Sequence, residues 1–211
     1  MKALVTGGEG GLGRAIRARL EAEGFDVQSL DLVNGFDVTS PEHWAEVGPV
    51  DLACLNAGVL GTDYRHAVSV NVDGVVFGVQ RLASVMREGA IVATASLAGL
   101  TAMPSDPIYS LTKHAVVGYV RSIAPHLEPV RINAVCPGIA DTPMIDPVRE
   151  QLAGFPLVQP ADVAEAVWLA ATSGRSGECW WVQPGRNPEP FRFPNLPGPR
   201  ADGEPVGPPP S

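Results

Sequence analysis

Short apolar runs alternate with longer stretches whose apolar positions recur at helical spacing, and the alternation persists to about residue 182. Residues 3–5, 27–30, 50–55, 90–95, 130–135 and 178–182 predict strands. Residues 12–23 predict a helix, with Leu12, Ile16 and Leu20 on one face. A short helix over 41–47 follows from Ser40 as N-cap and Pro41 at the first helical position. Longer helices are predicted over 62–86, 107–127 and 160–173. Pro125 disturbs the last turn of the second, while Pro160 opens the third and Gly174 follows its end. Runs such as 91–95 are continuously apolar, as strands buried on both faces are. Strands alternating with helices of this length need parallel crossovers. The expected fold class is therefore α/β, a three-layer doubly wound arrangement with a mostly parallel sheet of six to seven strands.

Two stretches break this pattern. Only five residues separate Asp31 from Asp37, whereas a parallel crossover takes about a dozen. The crossover helix is expected to be missing, and a third strand over 36–38 to be vestigial or absent. From 184 to 211 the chain is rich in Pro and Gly and ends VGPPPS. No regular hydrogen-bonded element is expected there, only an extended tail anchored by Phe191 and Phe193 and mobile beyond about Pro199. The organisation read from the chain is one domain over 1–183 followed by that tail.

Composition narrows the function classes. Apolar residues make up 45%, enough for a substantial core, and the net charge of −8 argues against a nucleic-acid groove or an anionic membrane surface. Cys54, Cys136 and Cys179 are an odd count without paired spacing, so buried reduced thiols are expected rather than a disulfide framework. His43, His66, His114 and His126 form no HxxxH pair and there is no CxxC, so no metal site is expected. No run of about 18 apolar residues predicts a membrane span, and the start lacks the apolar core of a signal peptide; a cytoplasmic location is expected.

TGGEGGLG, at 6–13, sits between the first strand and the first helix, where a nucleotide pyrophosphate can rest on helix N–H groups. Gly7 permits the tight turn, Gly11 lets the backbone approach the phosphates and Gly13 lets the helix pack closely. Asp31 ends the second strand, 18 residues after Gly13. A carboxylate there accepts bonds from the adenine-ribose hydroxyls and repels a 2′-phosphate, and Glu9 adds a second negative charge. The cofactor expected is NAD rather than NADP. Arg14 and Arg17 are the only nearby cations and read as solvated helix positions.

With these motifs in view, residues 1–183 resemble the short-chain dehydrogenase/reductase family, a Rossmann-fold family. TGGEGGLG is similar to its TGxxxGxG loop, LNAG at 55–58 to its NNAG segment, and YSLTK at 109–113 to its YxxxK motif. Asn71 lies in the long helix that carries the family's catalytic Asn, Ser96 ends the fifth strand, and CPG at 136–138 followed by Thr142 is similar to its PG…T element.

The residues agree with that resemblance. Tyr109 and Lys113 are four apart, hence on one helix face. A phenol titrates near 10, too high for an efficient base at neutral pH, and a fixed ammonium lowers that value. The resemblance implies that Lys113 also bonds the nicotinamide ribose, that Ser96 holds the substrate oxygen against Tyr109, and that Asn71 fixes a water relaying protons through Lys113. The cofactor-binding residues it implies, with the glycine loop, are Gly7, Gly10, Gly11, Leu12, Asp31, Leu32, Asp37, Val38, Asn56, Ala57, Gly58, Tyr109, Lys113, Pro137, Gly138, Ile139 and Thr142. Asp37 and Val38 would form the adenine wall, Ile139 would bond the carboxamide, and Thr142 would lie near the carboxamide or the phosphate.

Between Gly138 and Pro160 about twenty residues replace the family's substrate lid, and three prolines limit any helix to about 148–153. Met103, Ile145, Leu152 and Phe155 are candidate walls of a small or open cleft and equally candidate core. Trp180 and Trp181 point to opposite faces of the last strand, one to core and the other to a neighbouring subunit or the tail. The expected partners are a small alcohol or ketone substrate and further copies of the chain, in a homodimer or homotetramer. The rival readings are a catalytically silent nucleotide-binding protein and an isomerase or eliminating enzyme using the same residues.

Overall fold

The computed structural model describes residues 1–201 and 204–205 of the 211. Its centre is a sheet of seven strands in the order β2-β1-β3-β4-β5-β6-β7. The strands are β1 (Lys2–Thr6), β2 (Asp26–Leu30), β3 (Leu52–Leu55), β4 (Gly89–Thr94), β5 (Val130–Pro137), β6 (Cys179–Val182) and β7 (Glu189–Pro190). All neighbours run parallel except β7, which is antiparallel to β6.

Alternation along the strands divides the core into two layers. Ala3, Val5, Leu52, Cys54, Ala90 and Val92 meet α1 (Gly11–Ala22) and α6 (Pro160–Thr172) on one face. Leu4, Ala53, Leu55, Ile91 and Ala93 meet the other layer. That layer comprises α2 (Pro41–Ala45), α4 (Gly74–Val85) and α5 (Pro107–Ile123). The three-layer doubly wound expectation holds, and all three cysteines are free and buried in strands.

Over 36–38, where a vestigial or absent third strand was expected, no strand forms. Residues Leu32–Asn34 make a single 3₁₀ turn and β2 becomes the sheet edge. Five residues cannot carry the chain across the sheet and back. Instead α2 holds the loop: the Trp44 indole N–H donates to the Val38 carbonyl (2.8 Å), and Phe36 meets the Trp44 ring edge-on at 5.2 Å.

The seventh strand comes from the region expected to lack regular structure. Trp181 pairs with Glu189 and Trp180 with Pro190, and the Phe191 N–H donates to the Cys179 carbonyl at 2.7 Å. Pro190 is tolerated because an edge strand can spare its N–H. Arg121 of α5 lies over the Phe193 ring at 3.6 Å, and Phe191 meets Phe193 edge-on at 4.8 Å. The fold thus extends past 183. Arg200–Ala201 pairs with Glu204–Pro205 in a separate small ladder, and the closing VGPPPS, with the mobility expected there, lies outside the described residues. Trp180 packs against the α1–α6 layer, while Trp181 faces the tail beside Phe191 and Phe193.

Two helices depart from the sequence pattern. The stretch predicted over 62–86 is α3 (Tyr64–Val68), a π turn over Ser69–Asp73, then α4. The lid is a 3₁₀ segment, Pro143–Leu152, with Pro147 inside it, rather than an α-helix over 148–153. Pro147 has no N–H to donate, which limits regular α-helical bonding there. At its base the Val158 N–H donates to the Ile139 carbonyl and the Asp141 N–H to the Val158 carbonyl, both at 2.9 Å.

Candidate active site

The predicted residues converge at the carboxyl ends of the parallel strands, where open α/β sheets bind ligands. Gly7 turns the chain out of β1 with φ +62°, and a Cβ there would stand 2.9 Å from the Ala57 backbone. A Cβ on Gly13 would stand 2.0 Å from the Gly7 carbonyl oxygen, so the first turn of α1 packs directly on the loop. Thr6, to which the motifs assign no role, ties this loop to LNAG. Its hydroxyl accepts from the Asn56 N–H (2.9 Å) and the Ala57 N–H (3.0 Å). The Asn56 amide donates back to the Thr6 carbonyl at 3.2 Å. The Gly11 position meets Thr142: a Cβ there would be 2.8 Å from the Thr142 Cβ. Two predicted cofactor residues from distant segments are thereby brought together.

The Asp31 carboxylate accepts from the Glu9 N–H (3.0 Å) and the Val33 N–H (3.2 Å), joining the end of β2 to the glycine loop. Glu9 accepts from the Ser29 hydroxyl (2.7 Å) and pairs with Arg17, and these bonds hold its carboxyl below the usual range. Arg17 is therefore not the solvated cation expected; it is spent on Glu9 and folded beneath the loop. Leu32 is exposed (72%) and available at the rim. Val38 is not: its side chain is buried against Gly74, so only its backbone can serve an adenine wall. The Asp37 carboxylate accepts from the Thr39 N–H and hydroxyl, both at 2.8 Å, which holds it below its ordinary pKa.

Gly58 lies between Asn71 and Lys113, its Cβ position 3.2 Å from Asn71 Oδ1 and 3.3 Å from Lys113 Nζ. Asn71 sits in the π turn, fully buried. Such turns displace one side chain from α-helical register and are frequent at functional sites. Its amide donates to the Val59 carbonyl (2.8 Å) and the Thr112 hydroxyl (3.0 Å), and its Oδ1 accepts from the Val59 N–H (2.8 Å). Both amide hydrogens are thus committed to protein. Asn71 fixes the backbone beside Gly58, and its N–H groups are not free to hold the expected water.

Lys113 is buried on α5, donates to the Thr94 carbonyl at 2.9 Å and has Nζ 5.5 Å from the Tyr109 ring centroid. Burial lowers its pKa from 10.5 to about 8. Burial likewise raises the Tyr109 phenol, and the Ser96 hydroxyl opposes that rise. The depression of Tyr109 expected from Lys113 does not outweigh desolvation. Asp106 caps α5 at its start, accepting from the Tyr109 N–H (2.9 Å) and the Gly61 N–H (2.8 Å), and so locks the Tyr109 turn against the segment after LNAG.

On the far side, the Ser96 hydroxyl donates to the Pro137 carbonyl at 3.4 Å and accepts from the Ala98 N–H at 3.1 Å. Pro137 ends β5, Gly138 comes next, and Ile139 is exposed while Thr142 is buried. Arg149, unremarked in the sequence, pins the lid: it bonds Asp141 (2.6 Å), Asp146 (2.9 Å) and the Thr142 carbonyl (3.1 Å). Of the four candidate walls, Phe155 is exposed; Met103, Ile145 and Leu152 are half-buried.

A doubly wound parallel sheet with a glycine turn at its first crossover and a half-buried Tyr109 beside a buried Lys113 defines a Rossmann-fold oxidoreductase. The model of the short chain dehydrogenase family matches residues 37–153. The chain is 31% identical over 196 residues to levodione reductase of Leifsonia aquatica, covering 71% of this chain and 73% of that one. It is 31% identical over 195 residues to L-2,3-butanediol dehydrogenase of Corynebacterium glutamicum, covering 71% and 76%. Among solved structures it is similar to a glucose/ribitol dehydrogenase of the short-chain family from Brucella melitensis. The TM-score is 0.77 at 26% identity, covering 87% of this chain and 95% of that one. The protein belongs to the short-chain dehydrogenase/reductase family, whose fold binds a nicotinamide cofactor and whose members act on alcohol and ketone substrates.

Proposed function

We propose that the protein is an NAD(H)-dependent oxidoreductase that interconverts a secondary alcohol and a ketone, with Tyr109 as acid and base. The observation that carries this reading is a chain of neighbours drawn from three segments: Ser96 beside the Tyr109 phenol, Lys113 beside the Tyr109 ring on the same helix, and Asn71 meeting Lys113 across Gly58.

The residues present fit the cofactor. Helix α1 has 12 residues, no acidic residue in its first turn and a glycine approach, which suits a pyrophosphate over Gly7, Gly10, Gly11 and Leu12. Asp31 and Leu32 would meet the adenine ribose, the Asp37–Val38 backbone the adenine, and Asn56, Ala57 and Gly58 the span between. Pro137, Gly138, Ile139 and Thr142 would meet the carboxamide end, and Tyr109 and Lys113 the nicotinamide ribose. Asp31 disfavours a 2′-phosphate, and the Glu9–Arg17 ion pair carries no net positive charge to offset it. This is the basis for NAD over NADP. The bound nicotinamide supplies the acceptor or donor of hydride.

Tyr109 takes the substrate hydroxyl proton in the oxidising direction and returns it in the reducing direction. Ser96 holds the same oxygen. The Tyr109 phenol stands high for this work in the free protein, so its depression comes from Lys113 and a cationic oxidised cofactor acting together. Asn71 holds Gly58 and Val59 beside Lys113. Substrates of small size suit the short lid that Arg149 pins. Exposed Tyr64 and Leu111, on the neighbouring helices α3 and α5, offer an apolar face for a homodimer or homotetramer.

Purified protein titrated with NADH and NADPH, then assayed with NAD and secondary alcohols including vicinal diols, tests the reading. NADH is expected to bind at least about tenfold tighter, the discrimination worth roughly one charged contact. Asp31→Ala is expected to erase that preference. Equal binding of both nucleotides by the wild type contradicts the assignment of NAD.

A further inference from the structure

The loop after β2 lost its crossover helix and third strand, yet it carries Asp37 and Val38 at the nucleotide end of the sheet. Something else fixes its backbone. Trp44 takes the Val38 carbonyl, and His43 Nδ1 accepts the Asp37 N–H at 2.8 Å. Phe36 meets both rings, edge-on to Trp44 and tilted against His43 at a centroid distance of 5.7 Å. The Ser40 hydroxyl in turn accepts from the His43 N–H at 3.2 Å, which sets the imidazole on its turn. The His43 bond exists only while Nδ1 is unprotonated, because an imidazolium presents an N–H where the backbone already presents one.

We propose that His43 is a positioning residue of the nucleotide site: its neutral imidazole holds the Asp37 backbone in place of the missing strand and makes nucleotide affinity fall on acidification. The inference rests on the reading of Asp37 and Val38 as the adenine side of the cofactor site.

The charged groups facing His43 make the balance explicit. Asp37 attracts an imidazolium, but its carboxylate is already engaged by Thr39. Glu46 shares with His43 the lining of a cavity of about 280 Å³ along the β2 edge. Glu42 precedes it on α2, with its carboxylate turned to the Ser40 hydroxyl. His66 of α3 acts on Asp37 alongside His43. Arg81 of α4 is turned away to the Val47 carbonyl. With the Asp37 and Glu42 carboxylates already engaged, protonation of His43 removes the acceptor of the Asp37 N–H and releases that segment.

Two variants separate positioning from packing. In His43→Asn, Oδ1 stands near the place of Nδ1 and accepts without titrating; in His43→Leu no acceptor remains. NADH titrations at about pH 7.5 and about pH 5.5, with steady-state kinetics and melting curves, supply the readout. His43→Leu is expected to bind NADH about five- to tenfold more weakly at the higher pH, the worth of one hydrogen bond. Its kcat at saturating nucleotide is expected to stay within about twofold. His43→Asn is expected to bind like the wild type at the higher pH and to lose the wild-type weakening at the lower. Wild-type affinity retained by His43→Leu, equal loss in both variants, or the same pH dependence in His43→Asn and wild type overturns the proposal. A wild type that binds neither nicotinamide nucleotide overturns the cofactor reading itself, and this inference with it.

Discussion

Lys113 is held at a cost to stability, and the cost can be measured. The residue is 3% exposed, and burial lowers its pKa from 10.5 to about 8. Each unit corresponds to 1.36 kcal/mol, so below pH 8 the charged form costs the folded state on the order of 3 kcal/mol. The sign comes from proton counts. Below about pH 8 both states carry the proton and the cost is present in full. Between about 8 and 10.5 the folded state releases it while the unfolded state keeps it, so stability rises with pH; above 10.5 the cost is gone. Lys113→Met removes the charge. It also leaves the Thr94 carbonyl without its partner, which gives back about 1 kcal/mol. The variant is therefore expected to be more stable than wild type at pH 7 by about 2 kcal/mol, or roughly 4–8 °C in Tm for a chain of this length. It is also expected to be inactive. Urea unfolding of both proteins at about pH 7 and about pH 10 checks this, with the advantage shrinking or reversing at the higher pH. A variant less stable at pH 7, by the same margin at both pH values, refutes the assignment of Lys113 as a buried, strained cation.

Gly13→Ala is expected to destabilise the fold by about 3 kcal/mol or more, because the new methyl would stand 2.0 Å from the rigid Gly7 carbonyl; thermal melts without cofactor measure it. Arg149→Ala is expected to free the lid from Asp141, Asp146 and Thr142 and to raise the substrate KM several-fold, with melting temperature changed by less than about 2 °C because the ion pairs are exposed. An unchanged KM in a folded Arg149→Ala protein removes the lid from the account of substrate binding.

The alternation of apolar runs and helical stretches made the sheet and its two helical layers legible, because each strand's neighbours are set by local pattern and short connections. The absence of the third strand was legible from chain length alone, since five residues between Asp31 and Asp37 leave no path for a crossover. The tail misled for a physical reason: Pro190 denies a donor, but an edge strand needs only the bonds on its inner side, and Phe193 under Arg121 secures the chain beyond it. Tyr109, Lys113 and the glycine turn could be placed from spacing, and Ser96 from the family resemblance. The contacts that hold them could not. Thr6 on Asn56 and Ala57, Asp106 on Gly61, Arg149 on Asp141 and His43 on Asp37 join side chain to backbone or side chain to side chain, and no periodicity records them. The π turn that carries Asn71 was equally hidden, because an inserted residue leaves an apolar stripe nearly intact.

The central claim is that Tyr109, held beside Lys113 and Ser96, moves the proton in an NAD-linked alcohol–ketone interconversion. Tyr109→Phe keeps the ring and its packing and removes only the phenolic oxygen. With NAD and whichever secondary alcohol the wild type oxidises best, kcat is expected to fall by about a thousandfold or more, within the range attributed to general acid–base catalysis, while NADH binding stays within about threefold. A Tyr109→Phe protein that retains a tenth of the wild-type kcat contradicts the claim.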